Sequence, residues 1–72
     1  MNINTTDELI NIIDNVSYCT KIDGVATFTN LIFPKDSTAT FANSGVNAVL
    51  ADYTSIVFDN CQFYIDVTQL FL

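Results

Sequence analysis

Carboxylates are the only abundant reactive groups in this chain. Its 72 residues include eight Asp and Glu, no His, and only Lys21 and Lys35 as cations, for a formal charge of −6. Paired carboxylates can cleave glycosides, one acting as acid and the other as base or nucleophile. Asp59 and Asp66 are the nearest such candidates. Asp59, however, falls at a predicted bend, where a short carboxylate ordinarily forms the turn, and Asp66 follows an alternating strand and is expected to face solvent. Asp23, Asp36, Asp52, Asp59 and Asn60 carry the hard oxygens that calcium takes, but no loop spacing gathers them into a site. Without His, the commonest general base and metal ligand is missing. No Ser or Cys has an activating base, two cysteines cannot close a tetrahedral zinc site, and no glycine loop is arranged to cradle phosphate. The expectation is a protein that is not an enzyme and that uses no cofactor and no metal.

Composition narrows the remaining classes. Half of the residues are hydrophobic and 14% are charged, well below the roughly one quarter of an average domain. So short a chain has a large surface for its volume, and apolar surface left over usually marks a partner. A homo-oligomer or a component of a larger assembly is therefore expected. A nucleic-acid partner is excluded by the lack of Lys and Arg to neutralise phosphates, and the same deficit argues against an anionic membrane surface. No apolar run is long enough to span a bilayer and no basic, block-hydrophobic leader is visible. The chain is thus expected to be made in the cytoplasm. Cys19 and Cys61 are then expected as reduced, packed thiols. Tyr18, Tyr53 and Tyr64 are expected in the core or as cross-strand partners. Exposed together, they would instead make a sugar- or protein-binding surface.

One domain is expected: a helix at about 5–16, a β-rich body at about 18–68 and an apolar tail at 69–72. Thr5 followed by Glu8 has capping-box spacing. Asp7 and Glu8 suit the positive end of the helix dipole. Leu9, Ile12, Ile13 and Val16 form one apolar stripe, to be laid over the chain's own sheet or against a neighbour. From Tyr18 the pattern becomes that of strands. Tyr18 to Ile22 ends at Asp23-Gly24, the strongest hairpin signal in the chain. Further strands are expected at Val25 to Phe33 (bent at Thr29-Asn30), Thr38 to Ala42, Val46 to Ala51, Ser55 to Phe58 and Gln62 to Thr68.

One phrase recurs within these strands: Thr27-Phe28-Thr29-Asn30, Thr40-Phe41-Ala42-Asn43 and Val57-Phe58-Asp59-Asn60. Phe33 and Phe63 follow the first and third copies at the same offset. An inward Phe, an outward residue and then Asn suits a half-buried strand running into a corner, because Asn tolerates left-handed backbone. Asn30, Asn43 and Asn60 are the expected corners.

The phrase Ser55 to Phe63, echoed by Thr27 to Phe33, resembles a coil of the right-handed parallel β-helix, the fold of pectate lyases, phage tailspikes and some adhesins. That resemblance implies Asn residues stacked from coil to coil and a helix capping the first coil. Of the three Asn corners, only Asn30 and Asn60 stand far enough apart for successive coils. The same strands also fit a small antiparallel sandwich or meander, which the Asp23-Gly24 hairpin favours. The mainly β fold class thus has two architectures open to it. In composition, Gly24 to Phe33 is similar to the Thr/Asn-rich strands of phage fibres, spikes and capsid decoration subunits. The functional expectation is a non-enzymatic structural subunit, such as a small virion component, that self-associates and docks to larger protein partners. Leu9, Ile12, Ile13, Val16, Leu70, Phe71 and Leu72 are the candidate contact residues. The alternative is a small acidic module that binds protein or carbohydrate, or an inhibitor of a basic site.

Overall fold

The computed structural model describes all 72 residues, Met1–Leu72. Helix α1 spans Thr6–Ile13. Its start follows the cap signal: Thr5 is the N-cap and its Oγ1 accepts the Glu8 N–H at 3.2 Å. The Glu8 carboxylate reaches back to the Asn4 N–H and the Thr5 hydroxyl, both at 3.2 Å. The helix ends a turn before the expected residue 16. Asn15 Oδ1 accepts the Ser17 N–H at 3.0 Å, and the Asn15 carbonyl accepts from Tyr18 and Cys19. This local bonding competes with helix continuation and throws Val16 off the apolar stripe into solvent.

Strands β1 (Cys19–Ile22) and β2 (Val25–Thr29) form an antiparallel hairpin in register Cys19↔Phe28 to Ile22↔Val25. Asp23 and Gly24 take φ of 51° and 77°, the double positive φ that a two-residue turn of this hand requires. The chain then turns at Asn30, with φ 60°, into β3 (Ile32–Phe33). The same sequence of events recurs later. Strand β4 (Ser55–Asp59) turns at Asn60, φ 54°, into β5 (Gln62–Phe63).

Both later strands lie parallel on their earlier counterparts. Strand β4 pairs with β2 from Val25↔Ser55 to Thr29↔Asp59, and β5 pairs with β3 at Ile32↔Gln62 and Phe33↔Phe63. The step is the 30 residues that separate Asn30 from Asn60. A parallel bridge Asn2↔Ile32 extends the same step to the N-terminus. The result is a three-stranded sheet, β1-β2-β4, and a two-stranded sheet, β3-β5, in a small β-based domain of mixed pairing. Only the β1–β2 hairpin is antiparallel, so the chain is not an all-antiparallel meander.

Two expected strands are replaced and a third is cut short. Thr38 to Ala42 keeps strand-like alternation, with Ser37, Ala39 and Phe41 buried, but makes no ladder. Its N–H groups are scattered: Thr38 donates to the Asn4 carbonyl, Thr40 to Thr6 Oγ1 and Phe41 to the Leu70 carbonyl, while Ala39 and Ala42 donate to the nearby Ser37 and Thr40 hydroxyls. Val46 to Ala51 lies mostly in a second helix, α2 (Ser44–Val49). Asn43 caps it, its Oδ1 accepting from Gly45 and Val46 at 2.9 and 3.3 Å. Asn43 is therefore not a corner: its φ of −142° is ordinary extended backbone. Gln62 to Thr68 is a strand only at its start, and Asp66 caps a 3₁₀ helix at Val67–Phe71.

The core lies between the sheets and the two helices. Ile3, Leu9, Ile13, Phe28, Phe33 and Leu70 are among its fully buried members. Phenylalanines stack along the same direction as the strands: Phe28 on Phe58 at 5.7 Å and Phe33 on Phe63 at 5.2 Å between ring centres. Phe71 lies on Phe41 at 5.3 Å. No helix is long and apolar enough to cross a membrane.

Candidate functional site

The three-stranded sheet ends in β1 on one side and β4 on the other, each with β2 as its only neighbour. At the front, β1 covers the free edge of β2. Met1 and Asn2 cover β3, with Ile32 N–H donating to the Met1 carbonyl and Ile3 N–H donating to the Ile32 carbonyl, both at 2.8 Å. At the back, β4 has only β2 as neighbour and β5 has only β3.

Backbone alternation says which groups this leaves open. Ser55 N–H donates to the Gly24 carbonyl, and the Asp59 carbonyl accepts from Asn30 N–H. Residues 55, 57 and 59 thus address β2, so Ile56 and Phe58 present N–H and C=O on the opposite edge. In β5, Gln62 and Tyr64 donate to the Leu31 and Phe33 carbonyls, which leaves the Phe63 N–H and C=O outward. A row of unpaired strand groups is a template for another strand.

The side chains of the same residues are also incompletely covered. Ala26 and Phe28 are fully buried, while Ile56 and Phe58, paired with them and facing the same way, are 37% exposed and half-buried. Phe63 is likewise half-buried on fully buried Phe33, and Phe71 is 51% exposed. At the corner, Asn60 Nδ2 donates to Asn30 Oδ1 at 2.6 Å. Cys61, beside it, turns its thiol toward the Phe28 carbonyl at 3.4 Å. The back of the stack therefore combines unpaired backbone groups, half-covered apolar rings and an amide corner. It is the one place where the expected corner residues and the half-covered apolar residues come together.

The expected contact residues divide. Leu9, Ile12, Ile13 and Leu70 are buried in the chain's own core and offer nothing to a partner. The stripe of α1 covers its own domain because the sheets leave that side of the core to be closed. Val16, Phe71 and Leu72 are exposed. Val16 borders a shallow open depression with Ile13, Asp14, Cys19 and Lys21. There Lys21 Nζ meets Asp14 at 2.6 Å, and this hydrogen bond raises the lysine pKa above its usual value. With Asp14 largely in solvent, such a pair contributes only about 0.5 kcal/mol.

The carboxylates do not assemble. Asp66 accepts from both the backbone N–H and the hydroxyl of Thr68, at 3.1 and 2.5 Å, and these bonds hold its carboxyl below the usual range. Asp59 lies exposed at the end of β4, and no group of three or more metal-ligating side chains is gathered anywhere. Both cysteines are free, and burial pushes the Cys19 thiol up. Tyr18 and Tyr53 pack partly buried against the core, so of the tyrosines only Tyr64 is largely exposed, with its hydroxyl on Gln62 Oε1 at 3.0 Å.

Ile56, Phe58 and Phe63, ordinary strand residues by sequence pattern, join the candidate contact residues because their edge is open. The signal for them was the common step from Phe28, Asn30 and Phe33 to Phe58, Asn60 and Phe63. No family model, curated protein or solved structure matches the chain.

Proposed function

We propose that this chain is a non-enzymatic structural subunit: a short stack of parallel β-helix coils, with an open edge along β4 and β5, that works by self-association and by docking to larger protein partners. A small virion component, from a tail, fibre or capsid, is the setting its Thr/Asn-rich strands suit best. The coil reading is supported by the uniform 30-residue step of the parallel pairs, the left-handed backbone at Asn30 and Asn60, and their amide stack. The observation that carries the functional reading is the open edge of β4 and β5, where unpaired backbone and half-covered phenylalanines coincide. Unpaired strand groups beside half-covered apolar rings invite pairing with another strand.

The test is the solution mass by light scattering at low micromolar concentration, run beside circular dichroism to establish that the chain is folded. A folded species heavier than the monomer is expected. A folded chain that stays monomeric at all accessible concentrations contradicts self-association.

A further inference from the structure

The turn that joins β1 to β2 holds the reactants of a slow backbone rearrangement. We propose that Asp23-Gly24 is a covalent ageing site, where aspartate converts to isoaspartate through a succinimide and thereby unseats the start of β4. The site lies apart from the open edge and does not depend on the chain being an assembling subunit.

The reaction needs an aspartate carboxyl, the N–H of the next residue, and room for that nitrogen to reach the side-chain carbon. The Gly24 nitrogen attacks Cγ of the protonated Asp23 carboxyl. The N–Cγ bond forms, the bond from Cγ to the hydroxyl breaks, and the hydroxyl leaves with the amide proton as water. A second water then opens the ring. Cleavage between Cγ and nitrogen restores aspartate. Cleavage between the Asp23 backbone carbonyl carbon and nitrogen leaves the main chain running through Cγ. No oxidant, metal or second protein takes part.

Among the aspartates, the structure singles out Asp23. Its carboxylate is exposed and unpaired, and the Gly24 N–H donates to nothing. After Asp7, Asp14, Asp36 and Asp52 the next N–H is already engaged. Glu8 donates to Thr5 Oγ1, and Asn15, Ser37 and Tyr53 donate to the carbonyls of Ile12, Pro34 and Leu50. Asp66 has its carboxylate held by Thr68. Asp59 is followed by Asn60, whose side chain is tied to Asn30. Gly24 carries no Cβ to crowd the attack, and the space beside it is open: a Cβ there would meet only Thr54 Oγ1, at 3.5 Å.

Gly24 also seats the strand that follows one coil later. Its carbonyl accepts from the Thr54 N–H at 2.9 Å, the Ser55 N–H at 3.3 Å and the Thr54 hydroxyl at 3.4 Å. These bonds lead into the first register pair of β2 and β4, Val25↔Ser55. Isoaspartate adds a methylene to the backbone of a turn whose hand and length suit a two-residue hairpin. The Gly24 carbonyl is then carried away from Thr54 and Ser55, and β4 loses its start.

Storage of the folded chain at neutral pH for several weeks, followed by peptide mapping with electron-transfer fragmentation, tests the site. Residue 23 is expected to hold the majority of all isoaspartate formed. Asp23→Asn keeps a residue that suits this turn and reaches the same succinimide by losing ammonia, which leaves more readily. D23N is therefore expected to form isoaspartate several-fold faster, with unchanged circular dichroism at the outset. The isoaspartate form of the unsubstituted chain, separated by chromatography, is expected to lose hydrogen-exchange protection at the Thr54 and Ser55 amides while α1 keeps its own.

A folded chain that keeps aspartate at residue 23, when the same chain in urea isomerises there, would mean that the turn blocks ring closure and overturns the proposal. Isoaspartate spread evenly over Asp23, Asp59 and Asp66 overturns the assignment to this turn. An isoaspartate form whose Thr54 and Ser55 amides stay protected overturns the link to β4.

Discussion

Asn30 and Asn60 sit at φ of 60° and 54°, where a side chain with a Cβ ordinarily costs about 1–2 kcal/mol and Asn is among the few residues that visit routinely. Asn60→Ala is therefore expected to lower stability by about 1 kcal/mol or more, read as a shift in the urea midpoint. Asn60→Asp keeps the backbone preference but loses the amide donor to Asn30 Oδ1. A loss of equal size in both variants would place the whole effect in the stack, and none in the corner. Asp66 makes a second prediction at this scale. Its folded pKa is depressed by its bonds to Thr68 below the ordinary 3.8. Its contribution is thus present above the ordinary value and is lost as pH falls through the folded one. Wild-type stability should decline with acidification below about pH 4, and Asp66→Asn should flatten that part of the profile. If the two profiles run parallel, the carboxylate does not anchor the 3₁₀ helix. The thiols give a third. Burial disfavours the Cys19 thiolate, so an aromatic disulfide reagent should titrate Cys61 first and reach Cys19 only on unfolding. Equal rates for both would contradict the packing described.

Elements in this chain are set by a few side-chain-to-backbone bonds. Thr5 and Asn43 each cap a short helix. Thr5→Ala and Asn43→Ala should each cost about 1 kcal/mol in chemical denaturation, and a cost near zero at Asn43 would mean that α2 is held only by packing. These bonds also explain what could be read in advance. The start of α1, the Asp23-Gly24 hairpin, and the corners at Asn30 and Asn60 follow from local chemistry within a few residues. Asn43 departs from the expected corner because the same side chain serves a left-handed corner or a helix N-cap, and Phe-x-Asn does not say which. Only the position of Gly45 and Val46 N–H groups over its Oδ1 decides the matter. Val46 to Ala51 is too short and too evenly apolar to reveal its period. Thr38 to Ala42 alternates as a strand should, yet its hydrogen bonds depend on two distant segments, Asn4 to Thr6 and Leu70 to Leu72, that no local pattern encodes. The contact stripe of α1 was read correctly as apolar, but whether its own domain or a neighbour covers it is a property of the whole fold.

For the molecule as a whole, the informative quantity was the common 30-residue step, which links Phe28 to Phe58, Asn30 to Asn60 and Phe33 to Phe63. It was half visible in the repeated phrase and obscured by the copy at Thr40 to Asn43, which lies off the step. Parallel pairing at that distance leaves β4 and β5 with no neighbour on their outer side, and that open edge is what the proposed assembly uses. Backbone amides along β4 report on this directly. The Val57 and Asp59 N–H groups face β2, whereas those of Ile56 and Phe58 face outward. Residue-resolved hydrogen exchange across a range of protein concentrations would distinguish the two sets. Val57 and Asp59 should be protected at every concentration, and Ile56 and Phe58 should gain protection as the concentration rises and the edge is covered. Ile56 and Phe58 amides that exchange freely at all concentrations would contradict the claim that this edge is where the protein assembles.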